Sequence, residues 1–158
     1  MFTRFIAALG VALLAPVGAL AAATDLAYAG PTGWSHVDMP PAPDASRVVS
    51  QWHIAGDIAT VTYMKDTTTP FADALANIHK NFSDHAIKPS IDKDVPCRGT
   101  AAHVIEFATG PDGKKVVINR MLVPTGPGVS TITYVRADGT KPDGDVTTSV
   151  AAFCNATP

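Results

Sequence analysis

Two turn segments constrain the fold of this chain more than anything else in it. Gly110-Pro-Asp-Gly113 and Pro124-Thr-Gly-Pro-Gly128 separate three strand-like runs, Thr100–Thr109, Lys114–Val123 and Val129–Arg136. Pro111 presets a turn dihedral and the glycines accept positive φ. Connections this short join antiparallel neighbours, because a parallel pair needs a crossover of a dozen or more residues. The spacing therefore predicts a three-strand meander, and the rest of the fold has to be built around it.

Upstream, Gly33–Met39 reads as a short strand stopped by Pro40 and Pro41. Ser46–Ile54 alternates, with Val48, Trp52 and Ile54 on one face. Gly56-Asp57 then turns the chain into an antiparallel partner, Asp57–Met64. A helix follows, with Thr69 as N-cap, Pro70 at the first helical position and Asp73 in the first turn. Phe71, Leu75, Ile78 and Phe82 recur at helical spacing and are expected to be buried, while Asp73, Asn77, Lys80 and Asp84 point away. Ile91–Pro96 is a further short strand. Lys141–Asp145 leads into a last helix with Val146, Val150 and Phe153 on one stripe and Cys154 beside it. The expected class is α+β: an antiparallel β-sheet, meander plus N-terminal hairpin, covered by two amphipathic helices.

The N-terminus has the three-part layout of a secretory signal. Arg4 gives a positive n-region, Phe5–Leu20 is an apolar run, and Ala-x-Ala sites follow at Ala19/Ala21, Ala21/Ala23 and Ala27/Ala29. The run is short for a membrane span, which needs ~20 apolar residues. No Cys lies nearby to carry a lipid. The expected organisation is a signal peptide at 1–23, with cleavage options up to 29, a loosely ordered leader at 24–32, and one domain at 33–158. The expected location is secreted or periplasmic.

Removing 1–23 takes one cation, Arg4, and no acid, so the formal charge moves from −2 to −3. That mild balance gives no electrostatic case for nucleic acid or for anionic membranes. With 46% apolar and 16% charged residues the chain can build a core and is not disordered as a whole.

An exported chain meets oxidising conditions, and two cysteines leave no thiol over, so Cys97 and Cys154 are expected to pair. Closing a loop of about 58 residues stabilises by ~4 kcal/mol on the chain-entropy estimate. Reactive thiols would need an activating neighbour or a C-x-x-C spacing, and neither is present.

The order of elements, Gly33-Trp34 near the start, the amphipathic helix after the first hairpin and the last helix ending near Phe153-Cys154 resemble the PsbP-like superfamily over about Gly33 to Phe153. That superfamily includes an extrinsic photosystem subunit, a Ran-binding nuclear transport factor and many exported bacterial proteins of unknown role. The resemblance implies a binding or assembly role and brings no catalytic residue set.

The residues themselves show no convergent chemistry. Ser83-Asp84-His85 are successive on a helix and point about 100° apart, and no G-x-S-x-G turn presents a serine. His79 and His85 diverge around the same helix. His103 and Glu106 fall on opposite strand faces, and His103 shares its face with Ile105 and Phe107 as a core or core-edge histidine. His36 and Asp38 share a face but make half a metal site at best. With Gly110 opposite Gly113, Glu106 would face Val117 and form an exposed pair with Lys115. The glycines lie in hairpin turns and do not open a helix as phosphate loops do. Asn81-Phe-Ser83 and Asn155-Ala-Thr157 match the glycosylation pattern, which matters only in a eukaryotic secretory route.

The expectation is therefore an exported, non-catalytic binding or assembly module. Its partner would be an undetermined protein or envelope component, not nucleic acid, with no stable membrane insertion. The alternative is a carrier of a small apolar ligand in a sheet–helix cavity; only 7% of residues are aromatic, which favours the first. No catalytic residue, metal ligand or cofactor is expected. The loops Pro124–Gly128 and Gly139–Gly144 are the natural place for a binding rim.

Overall fold

A computed structural model describes residues 27–40, 46–111 and 114–156. The expected signal segment, 1–23, lies outside them. The α+β class and the antiparallel sheet hold. Three strands, β1 (Ser35–Asp38), β2 (Arg47–His53) and β3 (Thr60–Asp66), precede helix α1 (Phe71–Asp84). Then come β4 (Ile91–Cys97), β5 (Thr100–Thr109), β6 (Val116–Thr125), β7 (Gly128–Ala137) and helix α2 (Gly144–Asn155). The seven strands form one sheet in the order β1-β2-β3-β7-β6-β5-β4. The N-terminal strands and the meander are joined where β3 pairs with β7, for example Tyr63 opposite Ile132.

Because β3 is interior and β4 is the far edge, the connection between them has to cross one face of the sheet, and α1 makes that crossing. Strand residues alternate between faces. Ile105, Phe107, Leu122 and Val129 pack under α1, chiefly against Phe82 and Leu75. Their neighbours Ala102, Met121, Val123 and Ile132 face the other way, into a cluster completed by Val146 and Phe153 of α2. No helix among the described residues is long and apolar enough to cross a membrane.

Several details differ from expectation. Of the four apolar positions of α1 only Phe82 is buried; Phe71, Leu75 and Ile78 are half-buried. Part of the sheet beneath the helix is polar, with Arg120, Thr131 and Thr133 in place of core residues. Thr69 does not cap α1, whose N-cap is Pro70 without a side-chain bond. The Thr69 hydroxyl instead donates to Asp66 at 2.9 Å. Asp66 is buried and also accepts from the Thr68 and Thr69 backbone N–H groups, the Thr68 hydroxyl and Arg47 Nε. An ionised carboxylate is a stronger acceptor than a neutral hydroxyl, so Asp66 organises the turn into α1. Across from it, Gly128 must be glycine: a Cβ there would lie 2.0 Å from the Asp66 carbonyl oxygen.

The β6–β7 connection is tighter than 124–128, since Pro124 and Thr125 belong to β6 and only Gly126-Pro127 turns. A loosely ordered leader is expected at 24–32, of which 24–26 lie outside the described residues, but Tyr28 is held in place. That side chain is buried, its ring lies edge-on to Trp52 at 5.2 Å and to Phe153 at 6.0 Å, and its hydroxyl meets Ser149 Oγ at 2.6 Å. Gly30, at φ 79°, lets the chain pass close over Trp52.

Cys97 and Cys154 are disulfide-bonded, with Cα atoms 4.3 Å apart. Cys97 ends β4, and Arg98-Gly99, both at positive φ, form a two-residue turn into β5. The Arg98 N–H donates to the Cys154 carbonyl at 2.8 Å and its guanidinium lies over the Phe153 ring. The end of α2 is thereby fastened to the β4–β5 hairpin.

Candidate functional site

The Arg98-Gly99 turn sets the β4–β5 register, which places Asp94 opposite His103 and Asp92 opposite Ile105. Asp92 and Asp94 therefore share the α1 face of the edge strand with His103. His103 Nδ1 lies 2.7 Å from Asp94 Oδ1, and its Nε2 lies 2.6 Å from Asp92 Oδ1. From the third turn of α1, His79 Nε2 approaches the same Asp92 carboxylate at 3.2 Å. The two imidazoles are 5.9 Å apart and nearly perpendicular. The His103 side chain is 10% exposed, whereas Asp92 is 35% and His79 44% exposed.

Burial alone would lower the His103 pKa, but hydrogen bonds to Asp94 and Asp92, together with their charges, raise it above the ordinary histidine value. For Asp92 burial acts upward, and the hydrogen bonds and positive charge of His103 and His79 overturn it, so its pKa is lowered. One buried histidine thus sits between two carboxylates, with a second, exposed histidine at the rim.

The opposite face carries a cavity of about 300 Å³ between α2 and the sheet. Its walls are largely apolar: Val104, Met121, Ile132, Tyr134, Val146 and Val150. Glu106, Asn119 and Arg136 supply its polar end. Arg136 Nη2 donates to Glu106 Oε2 at 3.3 Å, while its Nε–H is buried and finds no partner among the described residues. Of the two loops expected to form a rim, 139–144 contributes Pro142 to this cavity, and the Gly126-Pro127 turn does not line it. A more polar groove of about 480 Å³ lies beside α1. There Arg120 donates to Thr133 Oγ1 at 3.3 Å, and burial lowers its pKa.

Glu106 is a correction. It faces Asn119, not Val117, because the β5–β6 connection runs from 110 to 115 and the register slips by two residues. A slip of two keeps the face and changes every partner. Glu106 is therefore half-buried beside Arg136 and Asn119, not in the exposed setting expected. Ser83, Asp84 and His85 do not converge: Asp84 binds Lys80, and His85 Nδ1 meets the Asn81 carbonyl at 3.0 Å. The His36 ring lies 5.0 Å from that of Trp52. His79 and His103 lie on different elements, so helix and strand periodicity cannot bring them together; only the packing of α1 on the sheet does.

No family model and no curated protein matches the sequence. Among solved structures, a Pseudomonas aeruginosa protein of unknown function named PA94, described as a candidate regulator, is similar. The TM-score is 0.56 at 16% identity, covering 79% of this chain and 96% of that one. At this identity the likeness establishes the fold alone.

Proposed function

We propose that this chain is an exported, non-catalytic binding module, and that it carries a small, largely apolar ligand in the cavity between α2 and the sheet. The observation behind it is the Arg136 Nε–H, buried without a described partner at the polar end of an apolar-walled cavity. A buried donor left unmade costs about 1–3 kcal/mol, and nearly all such groups in folded proteins have a partner. A ligand with an apolar body and a hydrogen-bond-accepting end would supply one once the Arg136 side chain turned its Nε–H, now closed off, toward the cavity. At about 300 Å³ the space suits a small molecule, near the lower end of ordinary ligand pockets.

Export is supported by the signal-like N-terminus and by the Cys97–Cys154 bond, which persists in oxidising compartments. The two amphipathic helices would then serve as covers, α1 over one face and α2 as the lid of the ligand cavity. The resemblance to the PsbP-like superfamily supports binding over turnover. Recognition of a protein or envelope component is the competing reading. Native mass spectrometry of protein purified from its own host separates the two. The expected result is a small non-protein mass that is released on denaturation and absent from Arg136→Met. A ligand-free chain that co-purifies with a protein partner would overturn carriage.

A further inference from the structure

We propose that His79, Asp92 and His103 form a binding site for a divalent transition-metal ion, with Asp94 orienting His103 from behind. The site is independent of the α2 cavity, which lies on the other face of the sheet. One ligand atom from each of the three residues falls within 4.8 Å of the others, and the three come from α1, β4 and β5. A tetrahedral ion with bonds of about 2.0–2.1 Å holds its ligand atoms about 3.3 Å apart. His79 Nε2 and Asp92 Oδ1, at 3.3 Å, already have that separation. His103 Nε2 and Asp92 Oδ1, at 2.6 Å, have to open by about 0.7 Å. Rotation of Asp92, partly exposed on an edge strand, can provide that.

The second carboxylate makes this more than a chance cluster. A ligating histidine nearly always donates its other ring N–H to a carboxylate, carbonyl or water, which fixes tautomer and orientation. With its Nδ1–H donated to Asp94, His103 turns Nε2 toward Asp92 and His79. The same geometry holds the ring in a largely buried position, while His79 and Asp92 stay open to solvent. Two imidazoles and one carboxylate suit Zn²⁺, Co²⁺, Ni²⁺ or Cu²⁺, and are a poor match for Mg²⁺ or Ca²⁺, which prefer all-oxygen shells. Two carboxylates balance the charge of the ion. Three protein ligands leave a fourth position to water, the pattern of an exchangeable site and not of a closed structural one. Both cysteines are committed to the disulfide, so no thiolate competes.

The test uses the untagged exported chain with its disulfide intact, stripped with chelator and titrated with Zn²⁺ by calorimetry and with Co²⁺ by visible absorption. The expected result is one ion per chain and the intense visible bands of low-coordinate Co²⁺. His79→Ala, on an exposed part of α1, should keep the melting temperature and weaken Kd at least tenfold. Asp94→Asn should weaken it by about 10–100-fold at unchanged stoichiometry. His85→Ala should change nothing. An unchanged titration in His79→Ala, or no saturable binding in the parent chain, would overturn the site and leave a plain imidazolium–carboxylate cluster.

Discussion

Asp66 shows how much structure one side chain can carry. Its carboxylate binds backbone and hydroxyl groups of Thr68 and Thr69 and the Arg47 guanidinium, all from a buried position. The backbone hydrogen bond from Thr68 is the largest influence on its pKa, and with the other bonds it outweighs desolvation and holds the group far below the usual carboxylate range. Asp66→Ala should cost about 2–4 kcal/mol at pH 7, because buried donors lose their acceptor. The sign with pH follows from the depressed folded pKa: the contribution is complete above the unfolded value near 4 and shrinks as pH falls toward the folded one. Below pH 4 the gap between parent and variant should narrow by about 1.4 kcal/mol per unit, measured by urea unfolding. A constant gap from pH 7 to pH 2.5 would contradict it. None of this was legible in sequence, where Asp66 is one of several acids near a helix start and the Thr69 cap looked sufficient.

At the scale of elements the turns carried most of the information. Short Pro/Gly connections identified the meander, and periodicity identified both helices. What was missed around the sites came from one turn read too short and one not read at all. The β5–β6 connection proved longer, which moved Glu106 from an exposed pair to the wall of a cavity. The Arg98-Gly99 turn went unread, although counting outward from it alone would have put His103 opposite Asp94. His79 could not have been added that way, since only the packing of α1 brings it to β4. That packing is also unequal along the helix. Phe82 is buried against Phe107, with rings 4.8 Å apart, while Ile78 is half-buried and lines the polar groove. Phe82→Ala should therefore cost about 3–5 kcal/mol. Lys80→Ala, exposed and paired with Asp84, should cost under about 0.5 kcal/mol. Equal losses in thermal or urea unfolding would mean that α1 packs with a different face.

For the whole molecule, the N-terminal segment decides where an exported chain can begin. Sequence alone leaves three Ala-x-Ala sites open, with mature starts at Ala22, Thr24 or Gly30. A start at Gly30 would discard Tyr28, whose ring packs edge-on to Trp52 and Phe153 and whose hydroxyl reaches Ser149 of α2. Tyr28 thus ties the segment before β1 to α2, and α2 is tied in turn to the β4–β5 hairpin by the disulfide. Chain ends that sit far apart in sequence close the same apolar cluster. Losing a buried aromatic of this size costs about 3–5 kcal/mol, a large part of the 5–15 kcal/mol that a domain holds in total. If the chain is exported as proposed, it should start at Ala22 or Thr24, which intact mass spectrometry of secreted or periplasmic material reads directly. A chain made to begin at Gly30 should melt well below one that begins at Thr24. Recovery of a Gly30 start from the natural host, with unchanged stability, would show that Tyr28 is dispensable to the fold.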